Sequence, residues 1–134
     1  MFRNINKILI ISPHSDDELF GFPFIDSIKN NFDVLLLEND EKRYKESIKS
    51  SKINGFNLKI YKGEKVAKGN FFHKILGQLI LDFLIFFDDY DLILSPMIEG
   101  GHQDHDTVCF ALLYCKKIKE GKAKLFFYST YRGI

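Results

Sequence analysis

The apolar residues of this chain fall into two alternating patterns. Short continuous runs of strand length recur along the sequence, and longer segments with apolar positions every three or four residues lie between them. The predicted strands are residues 7–12, 33–38, 58–61, 91–95 and 124–129. The predicted helices are residues 17–30, 41–54, 70–87 and 103–120.

This alternation predicts the fold class. Continuous apolar strands that alternate with helices are typical of a sheet covered on both faces. We therefore predict an α/β protein with a Rossmann-like three-layer α/β/α architecture and a mostly parallel sheet of about five strands. Because no repeat or linker interrupts the pattern, residues 1–134 are predicted to form a single domain. Ligands of such sheets bind beyond the carboxyl ends of the strands, so the strand-end loops are where we look for chemistry.

The third predicted helix carries two apolar surfaces. A stripe at helical spacing is predicted to face the core, and it consists of Phe72, Ile75, Leu76, Leu79, Ile80, Phe83 and Phe87. Leu81 and Ile85, four residues apart, form a smaller patch on the opposite side. This patch suggests a partner surface, as in a homo-oligomer, or a contact with the chain end, and two isolated surface hydrophobics are the alternative.

Composition and charge exclude several classes of protein. Nineteen basic and eighteen acidic residues give a formal net charge of +1, without the basic excess of a dedicated nucleic-acid binder. The longest apolar segment, 71–87, is interrupted by His73, Lys74, Gln78 and Asp82, so it is a poor membrane span. The first apolar run is too short for a secretory signal. We therefore expect a cytoplasmic protein with no nucleic-acid partner and no membrane span.

Two strand-end loops contain three of the four histidines. The first reads HSDDE at positions 14–18, and the second reads GGHQDH at positions 100–105. Because both loops follow strands of a predicted parallel sheet, they are expected at the same sheet edge.

These loops together suggest a divalent metal site. His14 and Asp17 are three residues apart at the start of a predicted helix, and His105 can reach the same ion from the other loop. Two imidazoles and one carboxylate leave open positions, as in catalytic zinc sites. The same ligands also suit Fe²⁺ in an oxygenase. As the alternative, the acids of the first loop belong to a first helical turn.

Three further residues of the two loops could act without binding the metal. Asp16 could accept a proton as a general base. His102 could donate a hydrogen bond to a developing oxyanion, and a carboxylate such as Asp104 would favour its protonated form. Alternatively, Asp104 could be the N-cap of the following helix.

The two loops resemble a known pair of motifs. Positions 14–18 resemble the His-Pro-Asp-Asp-Glu motif of the PIG-L/LmbE-like zinc de-N-acetylases, and positions 102–105 resemble the second motif of that family, His-x-Asp-His. The resemblance implies removal of the acetyl group from an N-acetylated sugar or sugar conjugate of the N-acetylglucosamine type. It implies that zinc is held by His14, Asp17 and His105, with Asp16 as general base, His102 as oxyanion stabiliser and Asp104 tuning His102.

Other parts of the chain fit this family less closely. Arg43 and Glu46 resemble an Arg-x-x-Glu pair of the family, so Arg43 is a candidate substrate contact, and a solvated helix charge is the alternative. Ser15 stands where the family has proline. By this resemblance, the domain is expected to lack the C-terminal extension with which family members wall the substrate cleft. We therefore keep a second hypothesis, a non-catalytic metal-binding or interaction module derived from the family.

Overall fold

The computed structural model describes most of the predicted elements. The described residues are 5–14, 31–38, 41–61, 75–98, 103–118, 120 and 123–129, without the side chains of 41–43. The strands are β1 (Ile8–Ser12), β2 (Phe32–Leu36), β3 (Asn57–Ile60), β4 (Leu92–Pro96) and β5 (Lys124–Tyr128). The helices of this described part are α1 (Glu41–Asn54), α2 (Leu76–Asp89) and α3 (Gln103–Ile118). The helix predicted at 17–30 lies outside the described residues.

The strands form one parallel sheet in the order β3-β2-β1-β4-β5. The α/β fold predicted from the alternation is confirmed. From β1 the chain moves outward through β2 to β3, and then returns to the other side of β1 to form β4 and β5. The direction of strand addition therefore reverses between β1 and β4. The crevice at the carboxyl ends of these two strands is the topological switch point, where doubly wound folds bind ligands.

The pleat of the strands divides the core between the two faces of the sheet. Leu9 and Ile11 pack with α2 and α3 on one face, whereas Ile8 and Ile10 pack on the other. Successive side chains of a strand point to opposite faces, so a continuous apolar run is what a sheet buried on both faces requires. Phe56, which follows α1, belongs to the second cluster.

The apolar stripe of α2 faces the core as predicted. Leu79, Phe83 and Phe87 have no exposed surface. Burying one such side chain contributes about 1.5–3 kcal/mol, so the stripe fixes α2 to the sheet. Leu81 and Ile85 are 61% and 60% exposed, so the patch that they form is at the surface. Among the described residues, no helix combines the length and the apolar character needed to cross a bilayer.

Several element ends differ from the prediction by one or two residues. α2 continues to Asp89, because the backbone N–H of Tyr90 still donates to the carbonyl of Phe86 at 3.0 Å. β4 includes Pro96, beyond which the amide of Met97 donates to the carbonyl of Tyr128 at 2.9 Å. Gly55, predicted to end α1, has φ +72°, a left-handed conformation that glycine adopts without a steric penalty.

Candidate metal centre

The described residues of the two motifs lie at the switch point of the sheet. His14 lies two residues after the end of β1, and Asp104 and His105 are the second and third residues of α3, which follows β4. β1 and β4 are hydrogen-bonded neighbours. Residues that are far apart in sequence are therefore brought to one edge by the strand order.

Three of the predicted site residues are in mutual proximity. His14 Nε2 lies 2.6 Å from Asp104 Oδ2, a hydrogen bond between side chains 90 positions apart. The ring centroids of His14 and His105 are 5.4 Å apart, with 32° between the ring planes. The exposed fractions of His14, Asp104 and His105 are 5%, 1% and 2%. Such burial of two imidazoles and a carboxylate is unusual unless the groups are partnered.

Local structure holds these residues in place. The hydroxyl of Ser12 donates to the backbone carbonyl of His14, which tightens the turn after β1. The hydroxyl of Thr107 donates to the carbonyl of Gln103 at 2.7 Å within the first turn of α3. Asp104 is inside this helix and its carboxylate is bonded to His14, so the N-cap role that the sequence left open is wrong.

The other predicted site residues are not placed. Asp16, Asp17 and His102 lie outside the described residues, and so does the side chain of Arg43. Within the described part, no group of three or more His, Cys, Asp and Glu side chains is arranged to hold a metal ion. The pairing of Asp104 with His102 therefore stays a prediction, as does the contribution of Asp17. The described partner of Asp104 is His14 instead.

The spacing of the two imidazoles fits a shared ion. Zinc–nitrogen bonds of about 2.0–2.1 Å at a tetrahedral angle separate the centroids of two ligand rings by roughly 5 Å. The observed separation between His14 and His105 is 5.4 Å. Imidazole nitrogen suits zinc and ferrous iron alike. The donor chemistry and the spacing therefore fit a divalent transition metal.

A further acid at this edge was not selected from the sequence. Glu38 lies two residues after the end of β2, next to β1 in the sheet, and is 4% exposed. The amide of Leu37 donates to the carbonyl of Ser12 at 3.0 Å, so the β1–β2 pairing continues to this point. The sequence feature that could have pointed to Glu38 was its position at the carboxyl end of the predicted strand 33–38. Its burial, which is rare for a glutamate, could not be read from the pattern.

Cavities among the described residues lie outside the imidazole cluster. A groove of about 820 Å³ follows the outer edge strand β3, between Tyr44 of α1 and Ile85 of α2, and none of the three clustered residues lines it. A cavity of about 350 Å³ lies against the first two turns of α3 and is lined by Gln103, Asp106 and Phe110 among others. None of the three clustered residues lines this cavity either, and its lining residues Gln103 and Phe110 lie about 140–160° around α3 from His105.

Comparisons with known proteins give little further information. No protein-family model and no curated protein matches this chain. Among solved structures, it is similar to the crystal structure of a predicted subunit of tRNA methyltransferase from Methanocaldococcus jannaschii. The TM-score is 0.49 at 10% identity, over 92% of this chain and 69% of that chain. A similarity at this level carries no argument about function, so the chemistry of the centre has to be argued from its residues.

Proposed function

We propose that this protein is a metal-dependent hydrolase, specifically a zinc-dependent amidohydrolase that removes the acetyl group from an N-acetylated sugar or sugar conjugate of the N-acetylglucosamine type. The observation that carries the proposal is the buried contact of His14 with His105 across the β1–β4 switch point. The resemblance of the two loops to the motifs of the zinc de-N-acetylases supplies the reaction class.

The residues that would hold zinc are His14 and His105, with Asp17 from the first motif. In this site zinc would supply Lewis-acid polarisation of the amide carbonyl. Fe²⁺ fits the same donors, so the native metal is part of what the experiment must measure.

The remaining chemistry is assigned to side chains of the two loops. Asp16 accepts the proton of the attacking water and then delivers it to the departing amine, a role that contributes about 10²–10⁴-fold. His102 donates a hydrogen bond to the developing oxyanion, a contribution of about 3 kcal/mol. Asp104 contributes indirectly, through its hydrogen bond to the imidazole of His14.

The sugar is proposed to bind at the carboxyl edge of the sheet. The carboxylate of Glu38 is suited to accept a hydrogen bond from a sugar hydroxyl, and Arg43 is the further substrate contact. A cytoplasmic location and a homo-oligomer formed through Leu81 and Ile85 belong to the same proposal.

The decisive experiment measures metal content and amine release together. The purified protein is analysed for metal as isolated, loaded with zinc, and incubated with a panel of N-acetylglucosamine conjugates. We expect one equivalent of zinc and amine release above a metal-free control. Asp16→Ala should keep the zinc and lose the activity, whereas His105→Ala should lose both.

A matched control separates the site from general effects of losing a histidine. His73, the fourth histidine, lies in neither motif, so His73→Ala should keep both zinc and activity. Stoichiometric zinc without amine release across the panel would instead indicate the non-catalytic module. Oxygen uptake by the iron-loaded protein, with no amine release, would indicate an oxygenase.

A further inference from the structure

We infer that Asp104 is the positioning residue of His14: it holds the imidazole with the proton on Nε2 and leaves Nδ1 as the nitrogen that binds the metal. This inference rests on the proposed function for the metal, and the hydrogen bond that carries it joins two side chains of this chain. It also differs from the role that the motif resemblance implies for Asp104, which is to tune His102.

The direction of the hydrogen bond follows from the chemistry of the two groups. An ionised carboxylate can only accept, so the proton between Asp104 Oδ2 and His14 Nε2 is donated by the imidazole. A neutral imidazole carries one N–H and one lone pair. When Nε2 is the donor, the lone pair available to a metal is on Nδ1.

Burial makes this hydrogen bond a strong constraint on the ring. The side chains of His14 and Asp104 are 6% and 0% exposed, and the two atoms are 2.6 Å apart. A charge-assisted hydrogen bond with little competition from water is short and directional. Rotation of the imidazole would break this bond, so His14 is held in one orientation before any metal arrives.

The position of Asp104 on α3 links the two imidazoles. Asp104 and His105 are consecutive helical residues, so their side chains leave the helix about 100° apart. One of them can therefore bond to His14 while the other lies beside its ring, at 5.4 Å between centroids. The first turn of α3 thus fixes both the ring orientation of His14 and the position of His105, the two imidazoles proposed to bind the metal.

Carboxylate partners of metal-bound histidines commonly act in this way. They fix the tautomer and the ring orientation, and their removal typically lowers metal affinity by about 10–100-fold. We expect a loss of this size for Asp104→Ala. Asp104→Asn should retain most of the affinity, because the amide oxygen of asparagine can still accept from Nε2–H.

Two measurements on the metal-free and zinc-titrated protein test the inference. Long-range proton–nitrogen NMR spectra of histidine-labelled protein report which ring nitrogen of His14 carries the proton, with the resonance assigned by its absence in His14→Gln. We expect Nε2–H in the parent chain and in Asp104→Asn, and a mixture of tautomers in Asp104→Ala. Zinc affinity is measured by competition with a chromophoric chelator.

A matched control removes a comparable hydroxyl-to-backbone hydrogen bond from a helix that carries none of the residues proposed to bind the metal. Ser51→Ala deletes the hydroxyl that donates to the carbonyl of Ile48 at 2.7 Å in α1, and it should leave both the tautomer of His14 and the zinc affinity unchanged. Nδ1–H on His14 in the parent chain would overturn the inference. So would an Asp104→Ala variant that binds zinc as tightly as the parent while His105→Ala does not.

These outcomes are distinct from a failure of the proposed hydrolase. A protein with the expected tautomer and the expected loss of zinc affinity in Asp104→Ala, but without amine release, would refute the hydrolase and keep the positioning role. If Asp104→Ala does not fold, the tautomer of His14 in the parent chain still decides the matter.

Discussion

Tyr90, at the end of α2, is central to a polar network at the edge of the sheet opposite the candidate metal centre. Its hydroxyl donates to Asp33 Oδ2 at 2.6 Å and accepts from Lys59 Nζ at 3.0 Å. The amide of Asn57 donates to the other oxygen of Asp33 at 3.1 Å. The network therefore joins α2 to the first residues of β2 and β3. We predict that Tyr90→Phe, which removes the hydroxyl and keeps the buried ring, destabilises the fold.

The size of this destabilisation follows from the kind of hydrogen bond that is lost. A hydrogen bond to a charged group contributes about 1.5–3 kcal/mol. The side chain of Asp33 is 18% exposed, so water can partly replace the lost donor. We therefore expect a loss at the lower end, about 1.5–2 kcal/mol. For a domain of this size that corresponds to a fall in Tm of about 5–7 °C.

The loss of stability in Tyr90→Phe should also depend on pH, because it involves the carboxylate of Asp33. Burial by itself raises the pKa of Asp33, but the hydrogen bonds from Tyr90 and Asn57 and the charge of Lys59 hold it below its ordinary value. A lowered carboxyl pKa means that its stabilisation is present above the unfolded pKa, about 3.9, and is lost as the pH falls through the folded pKa. The destabilisation by Tyr90→Phe should therefore be full at pH 7 and shrink below about pH 4.

The assay is urea unfolding of both proteins at pH 7 and at successively lower pH, analysed as a two-state transition. Tyr114→Phe is the matched control, because Tyr114 is 44% exposed and its change should stay within about 0.5 kcal/mol. Equal stability of Tyr90→Phe and the parent at pH 7 would refute the reasoning. A deficit that is the same at pH 3 as at pH 7 would refute its electrostatic part.

Four further predictions concern the core, the surface, the thiols and the metal. Phe83→Ala should lower the free energy of unfolding by about 3–5 kcal/mol, measured by urea denaturation, because the ring is fully buried against the sheet. Leu81→Glu combined with Ile85→Glu should leave Tm within a few degrees and abolish any self-association, so that the chain sediments as a 15.7 kDa monomer. Burial raises the pKa of Cys115 to about 11 and also raises the pKa of Cys109, so neither thiol should react with Ellman's reagent at pH 8 until the protein is unfolded. Zinc at about 100 times its dissociation constant should raise the free energy of unfolding by about 2.7 kcal/mol, seen as a shifted urea midpoint that is absent without the site.

The elements of the fold could be predicted because each depends on local pattern. The core side of α2 follows from the spacing of Leu79, Phe83 and Phe87, and the end of α1 follows from Gly55. The strand order could not be obtained in this way. It depends on which side of β1 each returning strand is added to, and an apolar run such as β4 has no local signal for its neighbour.

The candidate site, like the fold, could be predicted from the sequence only in part. That His14 and His105 share one edge was predictable, because the loops after parallel strands meet there. The bond between His14 and Asp104 was not predictable, because a contact of 2.6 Å depends on the rotation of α3 about its axis and on the turn after β1. Sequence spacing pairs Asp104 equally well with its neighbour His102. The burial of Glu38 was missed for a related reason: the same position at the end of β2 could have been solvated.

The strand order also makes the assembly of the candidate centre depend on the pairing of β1 with β4. His14 and Asp104 are 90 positions apart, and their contact requires β1 and β4 to be paired. Closing so long a loop is entropically unfavourable, and the favourable contacts of the β1–β4 ladder must compensate for it. A metal that binds both loops binds the paired arrangement and not the unfolded chain, so its binding free energy adds to the stability of the sheet. The central pair of strands therefore serves the fold and the centre together, and substitutions that loosen its pairing should weaken metal binding even where they touch no ligand.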